Sequence, residues 1–301
     1  MTQQATDIQG SIVALVTPMC DDGQVDWASL EQLVEWHIEQ GTHSIVAVGT
    51  TGEASTLSVE EHVKVISEVV RIANKRIPII AGCGANSTVE AITLTKHVKE
   101  AGADAGLIVT PYYNKPTQEG LYRHYKAIAE AVDLPIILYN VPGRTGVDMH
   151  NATVVRLSKI ANIVGIKDAT GDIPRGIELI NALDSKDMVV YSGDDETAWQ
   201  LMLAGGKGNI SVTANVAPKI MAEMCEHALK GENQPMQALN AQVAELHDIL
   251  FCESNPIPVK WALYAMGKVR LGIRLPLTVL DTQYHDVVRN ALVNAKLTSS
   301  T

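Results

Sequence analysis

Eight short apolar runs, each followed by a helical pattern, limit what this chain can fold into more than any other feature. The runs are Ser11–Thr17, Ser44–Gly49, Pro78–Cys83, Ala105–Pro111, Pro135–Asn140, Ile163–Asp168, Met188–Gly193 and Gly208–Thr213. They are continuously apolar rather than alternating, which is how parallel strands covered on both faces read. The segments between them carry helix start signals. Asp26 precedes Leu30, Leu33, Val34 and Ile38, with Gly41 as a stop. Ser58 with Glu61 and Ser87 with Glu90 have capping-box spacing, and Thr117, Asn151, Asp172 and Asp195 are candidate N-caps. Strict alternation of eight strand and helix units over about 200 residues predicts a (β/α)8 barrel of the α/β class. A doubly wound open sheet is the alternative, but no GxGxxG follows the first strand. Gly82-Cys83-Gly84-Ala85-Asn86-Ser87 is only a partial echo of that motif, and it follows strand three. After Thr213 the strands stop. Ala217–Lys230, Asn233–Cys252, Pro258–Lys268 and Asp286–Ala295 read as helices, so residues 1–216 are expected to form the barrel and residues 217–301 a helical extension packed on it.

The composition suits such a core and narrows the partners. Apolar residues make up 46% of the 301, yet aromatics only 4%, with Phe251 the single Phe, so the core must be aliphatic. A formal net charge of -10, with no basic run, argues against nucleic acid or an anionic membrane as partner. The four cysteines, Cys20, Cys83, Cys225 and Cys252, are scattered without metal-ligand spacing, as in a reduced compartment. Met1–Gly10 has no apolar core of a signal peptide, and no run approaches the roughly 18 residues of a membrane span. A cytoplasmic chain is therefore expected.

In a (β/α)8 barrel the chemistry lies at the C-terminal ends of the strands. Here those ends carry Thr17-Pro18, Gly49-Thr50-Thr51-Gly52-Glu53, Thr110-Pro111-Tyr112-Tyr113-Asn114, Tyr139 through Gly146 with Arg144, Lys167, Ser192-Gly193-Asp194-Asp195 and Ser211-Val212-Thr213. Lys167 ends an apolar β-branched run, where lysine is rarely buried without a reason. Desolvation disfavours an ammonium, and a neutral amine there is a nucleophile for carbonyl carbon that leads to a carbinolamine, an iminium and an enamine. Tyr139, one strand over, can shuttle a proton, with Thr50 able to link it to a second phenol. Backbone N–H groups and hydroxyls of the Gly-Thr-Thr-Gly turn can hold a carboxylate, and Arg144 offers a bidentate fork for another. Each residue also has an ordinary reading: Lys167 snorkelling or paired with Asp168, the tyrosines as loop packing, Arg144 as a surface pair, Thr50-Thr51 as turn chemistry. Their placement on one rim favours the chemical reading. Metal chemistry fits poorly, since of the nine histidines only His150 comes near a strand's C-terminal end. There is no HExxH, GxSxG or GxxxxGK[ST], and Asp194-Asp195-Glu196 would repel a phosphate at the usual barrel phosphate site.

GTTGE at 49–53, PYYNKPTQEG at 111–120, YNVPGRTG at 139–146, GIKDATGD at 165–172 and SGDD at 192–195 together resemble the dihydrodipicolinate synthase family of pyruvate-dependent class I aldolases. The resemblance runs from Gly10 to Leu292. It implies that pyruvate forms an imine on Lys167, becomes an enamine and attacks the aldehyde of L-aspartate-4-semialdehyde. Cyclisation then gives the intermediate of the first committed step of diaminopimelate and lysine biosynthesis, with no other cofactor. It further implies a proton relay of Tyr139, Thr50 and Tyr113, with Tyr113 reaching a neighbouring subunit's site in a homotetramer of two tight dimers. Thr51 resembles the pyruvate carboxylate site and Arg144 the semialdehyde carboxylate site, while Gly193 and Ile210 match positions whose backbone lines the pocket. A feedback site for lysine would use Ser55, His62, Asn86, Glu90 and Tyr112. Ala54 and Val59 depart from lysine-sensitive members, which often carry a hydroxyl and a basic or imidazole group there. Losing one hydrogen-bond partner costs about 1 kcal/mol, so inhibition is expected to be retained but weakened. A sibling lyase acting on N-acetylneuraminate or a keto-deoxy sugar acid is the alternative, and Arg144 argues for the shorter, carboxylate-ended substrate. A catalytically silent barrel would not need Lys167, Tyr139, Thr50 and Tyr113 together.

Overall fold

The computed structural model describes residues 7–183 and 188–299. The polar N-terminal residues 1–6, on which the absence of a signal peptide was partly read, and the last two residues of the polar tail lie outside the described residues. The chain runs β1 (Gly10–Ala14), α1 (Trp27–Glu39), β2 (Ser44–Ala47), α2 (Val59–Ala73), β3 (Ile79–Gly82), α3 (Thr88–Glu100), β4 (Ala105–Val109) and α4 (Gln118–Ala131). It continues through β5 (Ile136–Asn140), α5 (Pro142–Thr145), α6 (Asn151–Leu157), β6 (Ile163–Asp168), α7 (Ile173–Ala182), β7 (Val189–Ser192), α8 (Ala198–Leu203) and β8 (Gly208–Ser211). Four further helices follow: α9 (Pro218–Leu229), α10 (Asn233–Ile249), α11 (Ile257–Ala265) and α12 (His285–Asn294). The strands are parallel and close into a barrel, β1 pairing with β8.

Strand alternation divides the apolar residues into two layers. Inside the barrel sit Ile12, Ala14, Val46, Ile80, Leu107, Ile137, Tyr139, Tyr191 and Ile210. Their neighbours Val13, Ile45, Ala47, Ile79, Ala81 and Leu138 face outward and pack under the helices. Tyr191 closes the bottom, its phenol donating to the Ile8 carbonyl at 2.8 Å. Its ring passes over Gly165, where a Cβ would lie 3.0 Å from it. Helix α9 follows β8 and packs on β1, and Met236, Val243 and Leu246 of α10 share the outer apolar cluster with the barrel helices. Burying such a side chain contributes about 1.5–3 kcal/mol.

One irregularity decides the orientation of β6. The register with β5 runs Ile136↔Ile163 and then Ile137↔Gly165, so Val164 is an extra residue on the β6 side. Such a slip reverses the facing of everything beyond it. Ile163 and Ile166 therefore both face outward, three residues apart, and Lys167 turns inward.

Most start signals behave as expected. Asp26, Thr117 and Asp172 each accept from a backbone N–H of the first turn, and Ser58 with Glu61 forms a full capping box. Ser87 makes only half of one, accepting from Glu90 N at 3.5 Å. Asn151 is not an N-cap. It lies inside α6, where His150 holds the cap position, and its amide donates to the Arg175 carbonyl. Asp195 does not cap either. Its buried carboxylate accepts from Asn209 Nδ2 and from the backbone N–H groups of Val212 and Thr213, which pulls it across to the end of β8. Burial would raise its pKa, but His247 and these donors outweigh burial and hold it down.

Two helix histidines make stability depend on pH. Burial, with Lys268 nearby, lowers the His37 pKa from 6.5 to about 3, and burial lowers that of His124 from 6.5 to about 4. Below pH 6.5 the unfolded chain takes up protons that the folded chain refuses, so stability falls as pH drops from about 6.5 toward these values. The urea midpoint is expected to decline steadily between pH 7 and pH 4, and His124→Gln to flatten the decline. A midpoint constant over that range would contradict this.

Candidate active site

The turn after β2 is a constrained piece of backbone at the top of the barrel. Val48, buried and β-branched, has φ +54°, and Glu53 has φ +57°, both in a region that costs such residues energy. The turn is held by Glu53 N–H to the Thr50 carbonyl at 3.0 Å and by the Thr17 hydroxyl to the Gly52 carbonyl at 2.7 Å. Gly82 makes room for it, since a Cβ there would lie 2.1 Å from the Val48 carbonyl oxygen. Glu53 itself points into the protein. Its carboxylate pairs with the Lys260 ammonium of α11 and accepts from Arg274 N–H at 3.2 Å. Burial lowers the Lys260 pKa and Glu53 opposes that shift.

Lys167 is 6% exposed and in register with Tyr139 on one side and Tyr191 on the other. Its Nζ lies 4.2 Å above the Tyr139 ring centroid. Among the described residues it makes no ion pair with Asp168, whose carboxylate instead accepts from Thr170 N–H at 2.9 Å. Gly193 gives the lysine stem its space: a Cβ at 193 would sit 2.6 Å from Lys167 Cε.

A cavity of about 140 Å³ opens above this point, lined by Thr50, Thr51, Tyr139, Arg144, Lys167, Gly193, Phe251 and Asn255. Five of the residues read from the sequence, Thr50, Thr51, Tyr139, Arg144 and Gly193, thus line one cavity with Lys167. Ile210 is buried in the inner cluster and does not line this cavity, whereas Val212, just after β8, does. Tyr113 is elsewhere. It is 89% exposed with φ +74°, does not line this cavity, and its N–H donates to the Thr145 carbonyl. Arg144, on α5, donates from Nη2 to the Asn255 carbonyl at 3.2 Å.

A second cavity, about 460 Å³, adjoins the first and shares Gly49, Thr50, Tyr139 and Arg144 with it. Ala54, Ser55, Val59, His62, Glu90 and Tyr112 line it. His62 donates from Nε2 to the Gly82 carbonyl at 2.7 Å, and burial lowers its pKa. Burial and the Glu90 carboxylate raise the Tyr112 phenol. Asn86 stays off the wall and donates to the Tyr112 carbonyl.

Sequence reasoning missed Asn255 and the Glu53–Lys260 pair. Their only local signals were an Asn-Pro dipeptide and a lysine inside the apolar stretch from Ile257 to Leu263.

The sequence profile described as "Dihydrodipicolinate synthetase family" matches residues 7–295. A Pseudomonas putida (strain W619) protein described as 4-hydroxy-tetrahydrodipicolinate synthase is 62% identical over 285 residues, 95% of this chain and 97% of that one. The fold is similar to the crystal structure of the chloride inhibited dihydrodipicolinate synthase from Acinetobacter baumannii complexed with pyruvate. The TM-score is 0.96 at 71% identity, over 97% of this chain and all (100%) of that one. A dihydrodipicolinate synthase from Cyanidioschyzon merolae, solved with lysine bound, matches with TM-score 0.92 at 37% identity, over 97% of this chain and 99% of that one.

Proposed function

Because the chain belongs to the dihydrodipicolinate synthetase family, we propose that Lys167, Tyr139, Thr50 and Tyr113 carry out that family's reaction here. The enzyme is a lyase that condenses pyruvate with L-aspartate-4-semialdehyde to 4-hydroxy-tetrahydrodipicolinate, in lysine and diaminopimelate biosynthesis. It works through a covalent imine without a separate cofactor. The observation that carries the assignment of residues is the buried Lys167 amine, level with Tyr139 and open to a small cavity ringed by hydroxyls and one guanidinium.

In this reading the Lys167 amine attacks the ketone carbon of pyruvate, and loss of water leaves an iminium. Its positive nitrogen is the electron sink that lets a methyl proton leave, which gives the enamine. The enamine carbon attacks the aldehyde of the second substrate, and cyclisation frees the lysine. Tyr139 and Thr50 move protons at the reacting nitrogen and oxygen. Thr51 holds the pyruvate carboxylate, with Gly193 and Ile210 contributing backbone beside it, and Arg144 grips the carboxylate of the aldehyde. The exposure of Tyr113, held outward by its left-handed backbone, supports a role in a neighbour's site within a tight dimer, two of which make a homotetramer. We assign the barrel to residues 1–216 and the packed extension to 217–301, whose first helix, α9, packs on β1 and α8. The free thiols support a cytoplasmic setting.

The larger cavity, with Ser55, His62, Glu90 and Tyr112 on its wall and Asn86 behind it, supports lysine as effector. The relative solved with lysine supports the same reading. Val59 and Ala54 supply no polar group there, so inhibition is weakened.

The testing experiment is steady-state turnover of pyruvate with L-aspartate-4-semialdehyde, set against N-acetylneuraminate cleavage, with and without saturating lysine and across enzyme dilution. Expected are turnover of the first pair only, partial inhibition by lysine, and loss of specific activity as dimers dissociate. Efficient N-acetylneuraminate cleavage would reject the substrate assignment, unchanged activity at saturating lysine the effector, and a fully active monomer the role of Tyr113.

A further inference from the structure

The extension reaches the active site through Phe251 and Asn255, and none of the preceding roles uses the Asn255 side chain. Asn255 lies between α10 and α11 and is buried. Its Nδ2 donates to Thr51 Oγ1 at 3.0 Å, across 204 residues of sequence. Thr51 is itself 2% exposed and lines the smaller cavity beside Lys167. A hydroxyl has one proton to donate and lone pairs that accept. With the amide N–H occupying the acceptor side, the hydroxyl proton is left to point elsewhere, and the cavity is where an acceptor would stand. The cost of the arrangement is visible: among the described residues the buried Asn255 Oδ1 has no hydrogen-bond partner, which stability alone does not favour.

We propose that Asn255 is a positioning residue for pyruvate: its amide fixes the Thr51 hydroxyl as a hydrogen-bond donor toward the substrate carboxylate. The inference rests on the reading of Thr51 as the pyruvate carboxylate site. It also predicts a selective effect. Arg144 is held by the backbone carbonyl of residue 255 rather than by its side chain, so changing the side chain leaves the aldehyde's carboxylate site in place. Asn255 acts on the first substrate and not on the second.

The test is borohydride trapping of the pyruvate imine, titrated with pyruvate, in the full-length wild type and in Asn255→Ala, Thr51→Val and the double variant. KM for each substrate is measured in parallel. Loss of one oriented neutral hydrogen bond raises the half-saturating pyruvate concentration about three- to tenfold. Maximal trapping and the aldehyde KM stay unchanged. In the Thr51→Val background, Asn255→Ala adds nothing further. Asn255→Asp keeps the shape of the side chain but offers an acceptor, so the Thr51 hydroxyl turns to donate to it and pyruvate binding weakens. This variant carries the test if Asn255→Ala does not fold. Wild-type titration behaviour in both Asn255 variants, with Thr51→Val impaired, overturns the proposal, as do effects that multiply in the double variant. A Thr51→Val enzyme that titrates like wild type instead rejects the Thr51 assignment, and the proposal falls with it.

Discussion

A Lys167→Met variant loses turnover by at least about a thousandfold while keeping its fold. Removal of a covalent nucleophile forfeits the whole stepwise route, and losses of this order or larger follow when such a residue is deleted. Stability separates from activity here for a structural reason. Lys167 makes no ion pair with Asp168 among the described residues, so its removal strands no buried partner. Methionine copies the unbranched stem that runs past Gly193. Its thioether also packs favourably near an aromatic ring such as Tyr139. The kcat with both substrates and the urea midpoint, measured on the same preparation, check this. Activity above about one per cent of wild type in a folded variant would remove the lysine from its role.

The second large effect concerns stability. Glu53→Ala leaves the Lys260 ammonium, 4% exposed, without its counter-charge, and breaking one side of a buried ion pair costs about 3–5 kcal/mol. The same substitution removes the acceptor of the Arg274 N–H. It thereby frees the strained turn that carries Thr50 and Thr51, so kcat falls along with the unfolding midpoint. A double variant, Glu53→Leu with Lys260→Met, separates the two losses. Two apolar side chains of similar size recover much of the stability, but the Arg274 N–H still lacks its carboxylate acceptor at the turn, and activity stays low. Urea unfolding and steady-state kinetics on the three proteins test this. A single variant within about 1 kcal/mol of wild type would contradict the pair's structural role.

The barrel was legible because each strand is buried on both faces, and burial on both faces writes a continuous apolar run. The ends of those runs were less legible. The run from Ser44 extends to Gly49, but β2 stops at Ala47, because Val48 adopts a left-handed conformation. A side chain alone does not announce that conformation. Lys167 was legible as a misfit at the end of an apolar strand. Its facing was not: simple alternation from the outward Ile163 turns residue 167 outward, and only the extra residue at Val164 brings it inside. Asn255 and Lys260 meet the GTTGE turn across 204 and 207 residues, and no local pattern encodes contacts at that range. Asp195 looked like a helix cap because caps and buried acceptors use the same side chain. Which donors surround it is a property of the closed barrel.

The central claim is that pyruvate becomes covalently bound to Lys167. Reduction with borohydride in the presence of pyruvate, followed by proteolysis and peptide mass mapping, tests it most directly. The adduct is predicted on the peptide containing Lys167 and on no other lysine. Folded protein recovered with Lys167 unmodified, or with the adduct on a different lysine, would contradict the account.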